Sequence, residues 1–403
     1  MRVGILTYHS AINFGANLQA FSTYNYLENH GFDPYIINYH PVDLKDSYSS
    51  FPKDQIMKHQ EFVGQMRISE ECRSAHDIAK VLEILGVDNV IIGSDAVAQH
   101  HPLLSRIVFP SRRLVSIEKV TSDRMFPNPF WGEFLNYKPN TNVCLLSVSS
   151  QQADYNHFSK SLREDMMQYI SKFSFISVRD EWTKEMYEQI SNNTIIPEVT
   201  PDPVFAFNEN CFKYIPSKDE IIKKFNLPDK YVLLSIRRGR SVTPQWSKEF
   251  EAICQQAGYT CIGLPFPYGY TDLNQTSRKI DLPLSPMEWY SIIKYSDGYV
   301  GHNMHTIVSA LHNSVPCYSF DQYGRRVLMQ FCNNHSSKIF DILQRAGFED
   351  YRCVSGTVFD RTPSASYVFE KLMSFDRRKC EQFAKQYHSS YERMMSNIIS
   401  TFI

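Results

Sequence analysis

Two short constellations hold residue types that can bind an anion and move a proton. In one, His302, Asn303 and His305 follow directly on the apolar run Gly298 to Gly301, just where a helix should start. In the other, Arg179-Asp180 follows the run Phe173 to Val178. A helix N-terminus offers free backbone N–H groups and a positive dipole end to an anion. An arginine fork can hold a carboxylate or phosphate through two parallel bonds, or it can pair structurally with Asp180 or another carboxylate. Of these residues, His305 is the leading site candidate.

Three further clusters end strand-like runs. Gly93-Ser94-Asp95 follows Asn89 to Ile92 and suits a hydroxyl-rich or anionic ligand, or equally a helix N-cap. His9, Ser10, Asn13, Gly15 and Asn17 lie in the loop after Val3 to Thr7. The other reading of Asn13 and Gly15 is a turn that needs positive φ. Arg237-Arg238-Gly239-Arg240 follows Tyr231 to Ile236 and stands out in a chain of net charge −1, with a solvated loop as its alternative.

The elements that must position these residues are strands followed by helices. Apolar runs at Val3–Thr7, Pro34–Tyr39, Asn89–Ile92, Val143–Ser149 and Phe173–Val178 alternate with helical spacing such as Leu18, Phe21 and Leu27. A second array runs through Tyr231–Ile236, Thr260–Leu264, Gly298–Gly301 and Val315–Phe320. Ser285-Pro-Met-Glu288 is a capping box with proline at the first helical position. In open α/β sheets, ligands bind outside the carboxyl ends of the strands, where all the clusters above fall. Two successive βα arrays sharing a cleft predict an α/β, GT-B-like protein of two Rossmann-like domains facing each other. The expected boundaries are 1–222 for the first domain, with an insertion at 98–137, 223–375 for the second, and 376–403 for a final helix.

Composition bounds the partners. A net charge of −1 argues against nucleic-acid binding by bulk electrostatics, so any anion must meet local basic groups. None of the nine cysteines forms a C-x-x-C pair, which disfavours a zinc ribbon, and their scatter suits a reducing cytoplasmic setting. No G-x-G-x-x-G is present, so tightly bound NAD is disfavoured. Neither a signal peptide nor a membrane span is expected. Arg106, Arg112 and Arg113 beside Phe109 could touch the cytoplasmic membrane face, a solvated loop being the alternative.

Taken in order, G-I-L-T-Y-H-S-A-I-N-F-G-A-N-L-Q-A-F, I-I-G-S-D, N-P-F-W-G-E-F, F-I-S-V-R-D, P-D-P-V-F, L-S-P-M-E-W-Y and G-H-N-M-H-T-I-V-S-A-L-H-N-S-V-P make the chain resemble the polysaccharide pyruvyl transferase family. The resemblance implies transfer of the enolpyruvyl carbons of phosphoenolpyruvate to two hydroxyls of a sugar. The product is a cyclic pyruvate ketal on a surface or capsular glycan precursor, and phosphate is released. Phosphoenolpyruvate is then a co-substrate, with no cofactor or metal, and the acceptor is a glycan, free or lipid-linked. The family's donor-associated arginine and histidine match Arg179 and His305. His302 and Asn303 depart from the pattern where one branch carries a small polar residue and an arginine, and Ala16 and Asn17 stand where some branches carry an aspartate.

On this resemblance, His305 is the general acid or phosphate-binding group, Arg179 the donor clamp and Asp95 a candidate base. His302, Asn303, Arg237 and Arg325 join the donor side; His9, Asn13, Gly15, Asn17, Ser94 and Asp95 form the acceptor side. The rival readings are a GT-B glycosyltransferase using a nucleotide-sugar, and a non-catalytic glycan-binding protein of the same fold.

Overall fold

The structure is a computed structural model. It describes all residues except 42, 44–47, 49, 109–115, 238–241, 328–330 and 356–359, and it leaves aside the side chains at 104, 108, 325–327, 331 and 332. The first sheet comprises β1 (Arg2–Leu6), β2 (Asp33–Ile36), β3 (Asn89–Asp95), β4 (Asn142–Val148), β5 (Phe175–Val178) and β6 (Glu198–Val199). The second comprises β7 (Tyr231–Ser235), β8 (Thr260–Gly263), β9 (Arg278–Lys279), β10 (Gly298–Gly301), β11 (Cys317–Asp321) and β12 (Arg352–Val354). The spatial orders are β2-β1-β3-β4-β5-β6 and β9-β8-β7-β10-β11-β12. Every pairing within both sheets is parallel.

Central strands such as Asn142–Val148 are buried along their whole length. Parallel sheets are covered on both faces, so their strands read as continuous apolar runs rather than alternating ones. Two apolar clusters lie on the outer faces of the two domains. A third joins them, running from Val3 and Phe21 through Phe205 and Trp289 to Met394.

The helices that matter for the site are α1 (Phe14–Asn29), α2 (Lys53–Val63), α3 (Glu181–Ile190), α4 (Met304–His312), α5 (Lys338–Arg345) and α6 (Arg377–Ser400). Helix α6 starts against the second domain, where Arg377 donates to the Asp297 carbonyl, 3.1 Å. It ends beneath the first sheet, where Met394 Sδ accepts from Ser147 and Ser177, both at 3.3 Å. Beyond it, Asn142 donates to the Thr401 carbonyl, 2.9 Å, and Asn89 to that of Ile403, 3.0 Å.

Two seams hold the domains face to face. At one, Arg345 of α5 reaches Glu181 of α3 at 2.6 Å, and the Glu181 N–H donates to Asp341, 3.2 Å. At the other, Gln55 of α2 both donates to the Leu284 carbonyl and accepts its N–H, each at 2.7 Å. The Phe14 and Trp289 rings stack at 5.2 Å beside that second pair.

One expectation is corrected here. No helix follows Gly93-Ser94-Asp95, so the N-cap reading of that motif fails. The stretch from 40 to 75 contains helix α2. The aromatic residues of the insertion are core: Phe130, Trp131 and Phe134 pack in the outer cluster of the first domain.

Candidate active site

Arg179 leaves β5 at its carboxyl end, and its N–H donates to the Val148 carbonyl at 2.9 Å. The side chain is 6% exposed. Its Nη1 donates to Asp202 at 2.9 Å, and Nη2 lies 4.0 Å from Asp95. Nε and Nη2 are buried without a hydrogen-bond partner. Burial works against this charge, but the carboxylates of Asp202, Asp95 and Asp180 outweigh it and hold the guanidinium above its ordinary value.

The structural partner of Arg179 is therefore Asp202 and not Asp180. Asp180 caps α3, accepting from the Thr183 N–H at 2.8 Å and from the Ser149 hydroxyl at 2.8 Å. A buried N–H costs free energy unless it finds an acceptor, so the two spare donors of Arg179 invite an anion.

Asp95 ends β3 with φ of 99°, a left-handed conformation that non-glycine residues rarely adopt and that concentrates at functional sites. It follows Gly93, whose own φ is 119° and where a Cβ would meet the Leu146 carbonyl oxygen at 2.3 Å. Burial alone would raise the Asp95 carboxyl; the fields of His305, Arg179 and Lys338 bring it below its ordinary value. Asp95 is thus an anion between three basic side chains.

His305 comes from the facing domain. Asn303 caps α4, its Oδ1 accepting the His305 N–H at 2.9 Å, which fixes the start of the helix that carries the imidazole. The ring is buried, with Nε2 unpartnered. Burial pulls it down to about 4, against the opposing pull of Asp202 and Asp95, so the imidazole of the empty site is neutral at pH 7. The ring lies against the backbone of Gly15 at the start of α1, where a Cβ would fall 2.0 Å from His305 Cγ. Gly15 is absent from the positive-φ positions, so close approach, not a turn, requires glycine here.

Three neighbours went unnoticed in the sequence. Asp202 lies between two prolines, and its Oδ2 accepts from both Arg179 and Gln19. Gln19 of α1 also lies 3.5 Å from the Ser94 hydroxyl. Lys338 opens α5, is buried beside the Tyr323 ring at 4.7 Å, and acts on both Asp95 and His305. The signal for Asp202 was a carboxylate held between two prolines at a strand's end.

The remaining candidates divide. Ser94 is buried and donates to the Ser147 carbonyl at 3.0 Å. Asn13 is spent on capping α1, accepting from Gly15 N at 3.0 Å and Ala16 N at 3.3 Å. Asn17 is wholly buried and ties the first loop, donating to the His9 carbonyl at 2.6 Å. His9 is buried with Nε2 3.0 Å from Asn38 Oδ1.

His302 and Arg237 form a second cluster at the ends of β10 and β7. The Arg237 N–H donates to His302 Nδ1 at 3.2 Å, and its guanidinium lies 5.4 Å from the Phe266 ring centre. Burial and then the Arg237 charge push His302 down to about 3. Arg325 begins a two-stranded ribbon, and its side chain, like Arg238, Arg240, Phe109, Arg112 and Arg113, lies outside the described residues. Arg106 donates to the Glu118 carbonyl at 3.0 Å. Among the described residues, no group of three or more His, Cys, Asp or Glu side chains is arranged to hold a metal, and no helix is long and apolar enough to cross a membrane.

The histidines set a pH dependence for the fold. Burial pushes His302 and His312 to about 3 and His9, His59, His100, His101 and His305 to about 4. In the unfolded chain each titrates near about 6.5, so between pH 6.5 and 4 the unfolded state binds more protons and stability falls as pH falls. Each histidine adds at most about 1.4 kcal/mol per pH unit. Asp321 and Asp341, whose carboxyls burial raises, act in the opposite sense. The melting temperature should drop by about 10 °C between pH 7 and pH 5. Thermal unfolding followed by circular dichroism at the two pH values checks this, and a level or rising value would mean that these rings are charged in the fold.

Solved structures similar to the chain share its architecture at low identity. A UDP-N-acetylglucosamine 2-epimerase from Rickettsia bellii superposes with TM-score 0.54 at 8% identity, over 99% of this chain and 96% of that one. The corresponding epimerase from Neisseria meningitidis bound to UDP-GlcNAc gives 0.53 at 10%, over 99% and 100%. A ugt transferase from Siraitia grosvenorii in complex with UDP gives 0.51 at 12%, over 99% of both chains. At such identities the likeness shows the fold, GT-B, with two Rossmann-like domains. No curated protein matches the chain. The family model for polysaccharide pyruvyl transferase matches residues 13–322, a span that starts at the α1 cap, takes in Asp95, Arg179 and His305, and ends just past β11; the chain belongs to that family.

Proposed function

We propose that the protein transfers the enolpyruvyl group of phosphoenolpyruvate to two hydroxyls of one sugar in a glycan precursor. The observation that carries this reading is that Arg179, with two spare buried N–H donors, lies within electrostatic reach of His305, which crosses the domain seam to meet Gly15. Phosphoenolpyruvate has a carboxylate and a phosphate, and Arg179 and Lys338 supply cationic groups for them. A bound anion also raises the proton affinity of the neutral His305, because nearby negative charge favours the imidazolium.

The reaction balances without an added oxidant or reductant. One sugar hydroxyl adds to the central carbon of the donor while a proton goes to the methylene carbon, making it a methyl. The carbon–oxygen bond to phosphate then breaks, and the second hydroxyl closes the ketal, its proton leaving with the phosphate. His305 holds the proton bound for the methylene, and Asp95 receives one from a hydroxyl. Closure of the two domains over the reacting atoms excludes water, which would otherwise intercept the central carbon. The scheme uses no cofactor beyond the co-substrate and suits a cytoplasmic enzyme acting on a free or lipid-linked precursor.

Thermal-shift titration separates this reading from the nucleotide-sugar one. Phosphoenolpyruvate should raise the melting temperature, UDP- and GDP-sugars should not, and His305→Ala should abolish phosphate release with a competent acceptor. A response to nucleotide-sugars alone, or near-normal turnover in His305→Ala, would overturn it.

A further inference from the structure

A cavity of about 420 Å³ is lined by the loop after β1, which leads into α1 and Gly15. Its polar side includes His9, His40 and His59, and its apolar side Tyr48, Ile56 and Ile68. The volume falls in the range of small-molecule sites, about 300–1,000 Å³. The first domain supplies every described lining residue, and two of the three histidines come from the stretch between β2 and β3.

Hydrogen bonding fixes what the cavity presents. Asn17 Nδ2 donates to the carbonyls of His9 and Ala11, at 2.6 and 3.2 Å, so its Oδ1 is left as the acceptor. His59 Nδ1 lies 2.5 Å from that oxygen and therefore carries the ring proton. Nε2 of His59 is then a lone pair, and it is buried with no donor to meet it. The imidazole is 1% exposed, so an occupant of the cavity must bring the missing O–H or N–H.

Charge narrows the occupant further. Among the lining residues only Glu71 and Arg73 are fully charged side chains, and they pair with each other. Among the described residues, the cavity thus offers no free cation to a phosphate or carboxylate. A polar side opposite an aromatic and aliphatic side suits a ring with hydroxyls on its edge and C–H groups on its face. The loop after β1 leads into α1, where Phe14 packs against His59 at 4.9 Å between ring centres and the next residue, Gly15, meets His305, so the cavity and the reaction centre flank the start of one helix.

We propose that this cavity is a subsite for a neutral, hydroxyl-bearing sugar ring, with His59 Nε2 accepting a hydrogen bond from a ring hydroxyl. That the ring belongs to the acceptor rests on the pyruvyl-transfer reading; that the cavity binds a neutral sugar does not. The subsite makes His59, His40 and Tyr48 the residues that select among sugars.

Saturation-transfer NMR with the methyl glycosides of glucose, galactose and mannose and with N-acetylglucosamine tests the subsite directly. At least one should bind the native protein, and at least tenfold more weakly in both His59→Leu, which removes the lone pair, and Ile56→Trp, which fills the cavity from a half-buried helical position. The shift induced by phosphoenolpyruvate should persist in both variants, which also shows that they fold. The proposal is overturned if no glycoside binds at millimolar concentration, if binding is equal in the variants, or if inorganic phosphate displaces the sugar. A glycoside result as expected, with no response to phosphoenolpyruvate in any protein, sinks the donor reading and leaves the cavity standing.

Discussion

Gly15→Ala should give a folded protein whose turnover is at least about a hundredfold reduced. An added Cβ would sit 2.0 Å from Cγ, 2.2 Å from Nδ1 and 2.4 Å from Cβ of His305. These atoms are the root of the imidazole, so no swing of a flexible tip relieves the clash. Either the ring leaves its rotamer or the domains part by an ångström or more, and a misplacement of about 1 Å can cost about a hundredfold in rate. The first domain itself should not suffer, because alanine is favoured over glycine in a helix by about 1 kcal/mol and Gly15 lies in the first turn of α1. Phosphate release from phosphoenolpyruvate, measured with circular dichroism on the same sample, decides the matter. Turnover within threefold of the native enzyme would mean that His305 need not sit where the structure has it.

That contact also shows how much of the site the sequence made legible. Strand-end motifs drew attention to Arg179, Asp95 and His305, because a polar cluster after an apolar run is visible in one dimension. The partner of Arg179 was not, because Asp202 lies in a proline-flanked segment whose neighbours are fixed only when the sheet forms. Gln19 was hidden for a different reason. Helix α1 is buried from Phe14 to Leu27 on every face, so its polar residues do not mark a solvent side and the usual periodicity fails. Helix α2 has no clear periodicity because its buried positions, Gln55, His59, Phe62 and Val63, mix polar and apolar types, and Pro52 provides no side-chain cap. The edge strands β6 and β9 are two residues long, too short for any pattern.

The charges of the empty centre are balanced. Arg179 and Lys338 face Asp95 and Asp202, so the empty site holds two positive and two negative groups around a neutral imidazole. A buried cluster of this kind is tolerable only while its charges stay paired. Asp202 is already held by Arg179, Gln19 and the Val204 N–H, the last at 3.0 Å, and so serves as a fixed counter-charge. Among the described residues, the Asp95 carboxylate accepts only the Ala96 N–H, at 2.7 Å, which leaves it the freer carboxylate to take a proton.

Arg179→Lys tests that division of labour, and it should raise the KM for phosphoenolpyruvate by about a hundredfold or more. A lysine can replace the single bond from Nη1 to Asp202, but an ammonium on a flexible stem cannot also present the two fixed N–H donors that now lack partners. Hydrogen bonds between charged groups contribute about 1.5–3 kcal/mol each, so losing even one is worth roughly ten- to a hundredfold in affinity. Because the positive charge is kept, Asp202 is not stranded, and the loss of stability should be far below the roughly 3–5 kcal/mol that removing one partner of a buried pair costs. Asp202→Asn supplies the contrast. It should lower the melting temperature more than Arg179→Lys while disturbing donor affinity less, because the spare donors survive and only their anchor is weakened. Donor titrations and thermal unfolding of both variants measure the two effects. If Arg179→Lys left donor affinity unchanged, Arg179 would be a structural ion pair and no clamp, and the two spare donors would have to be assigned to the fold alone.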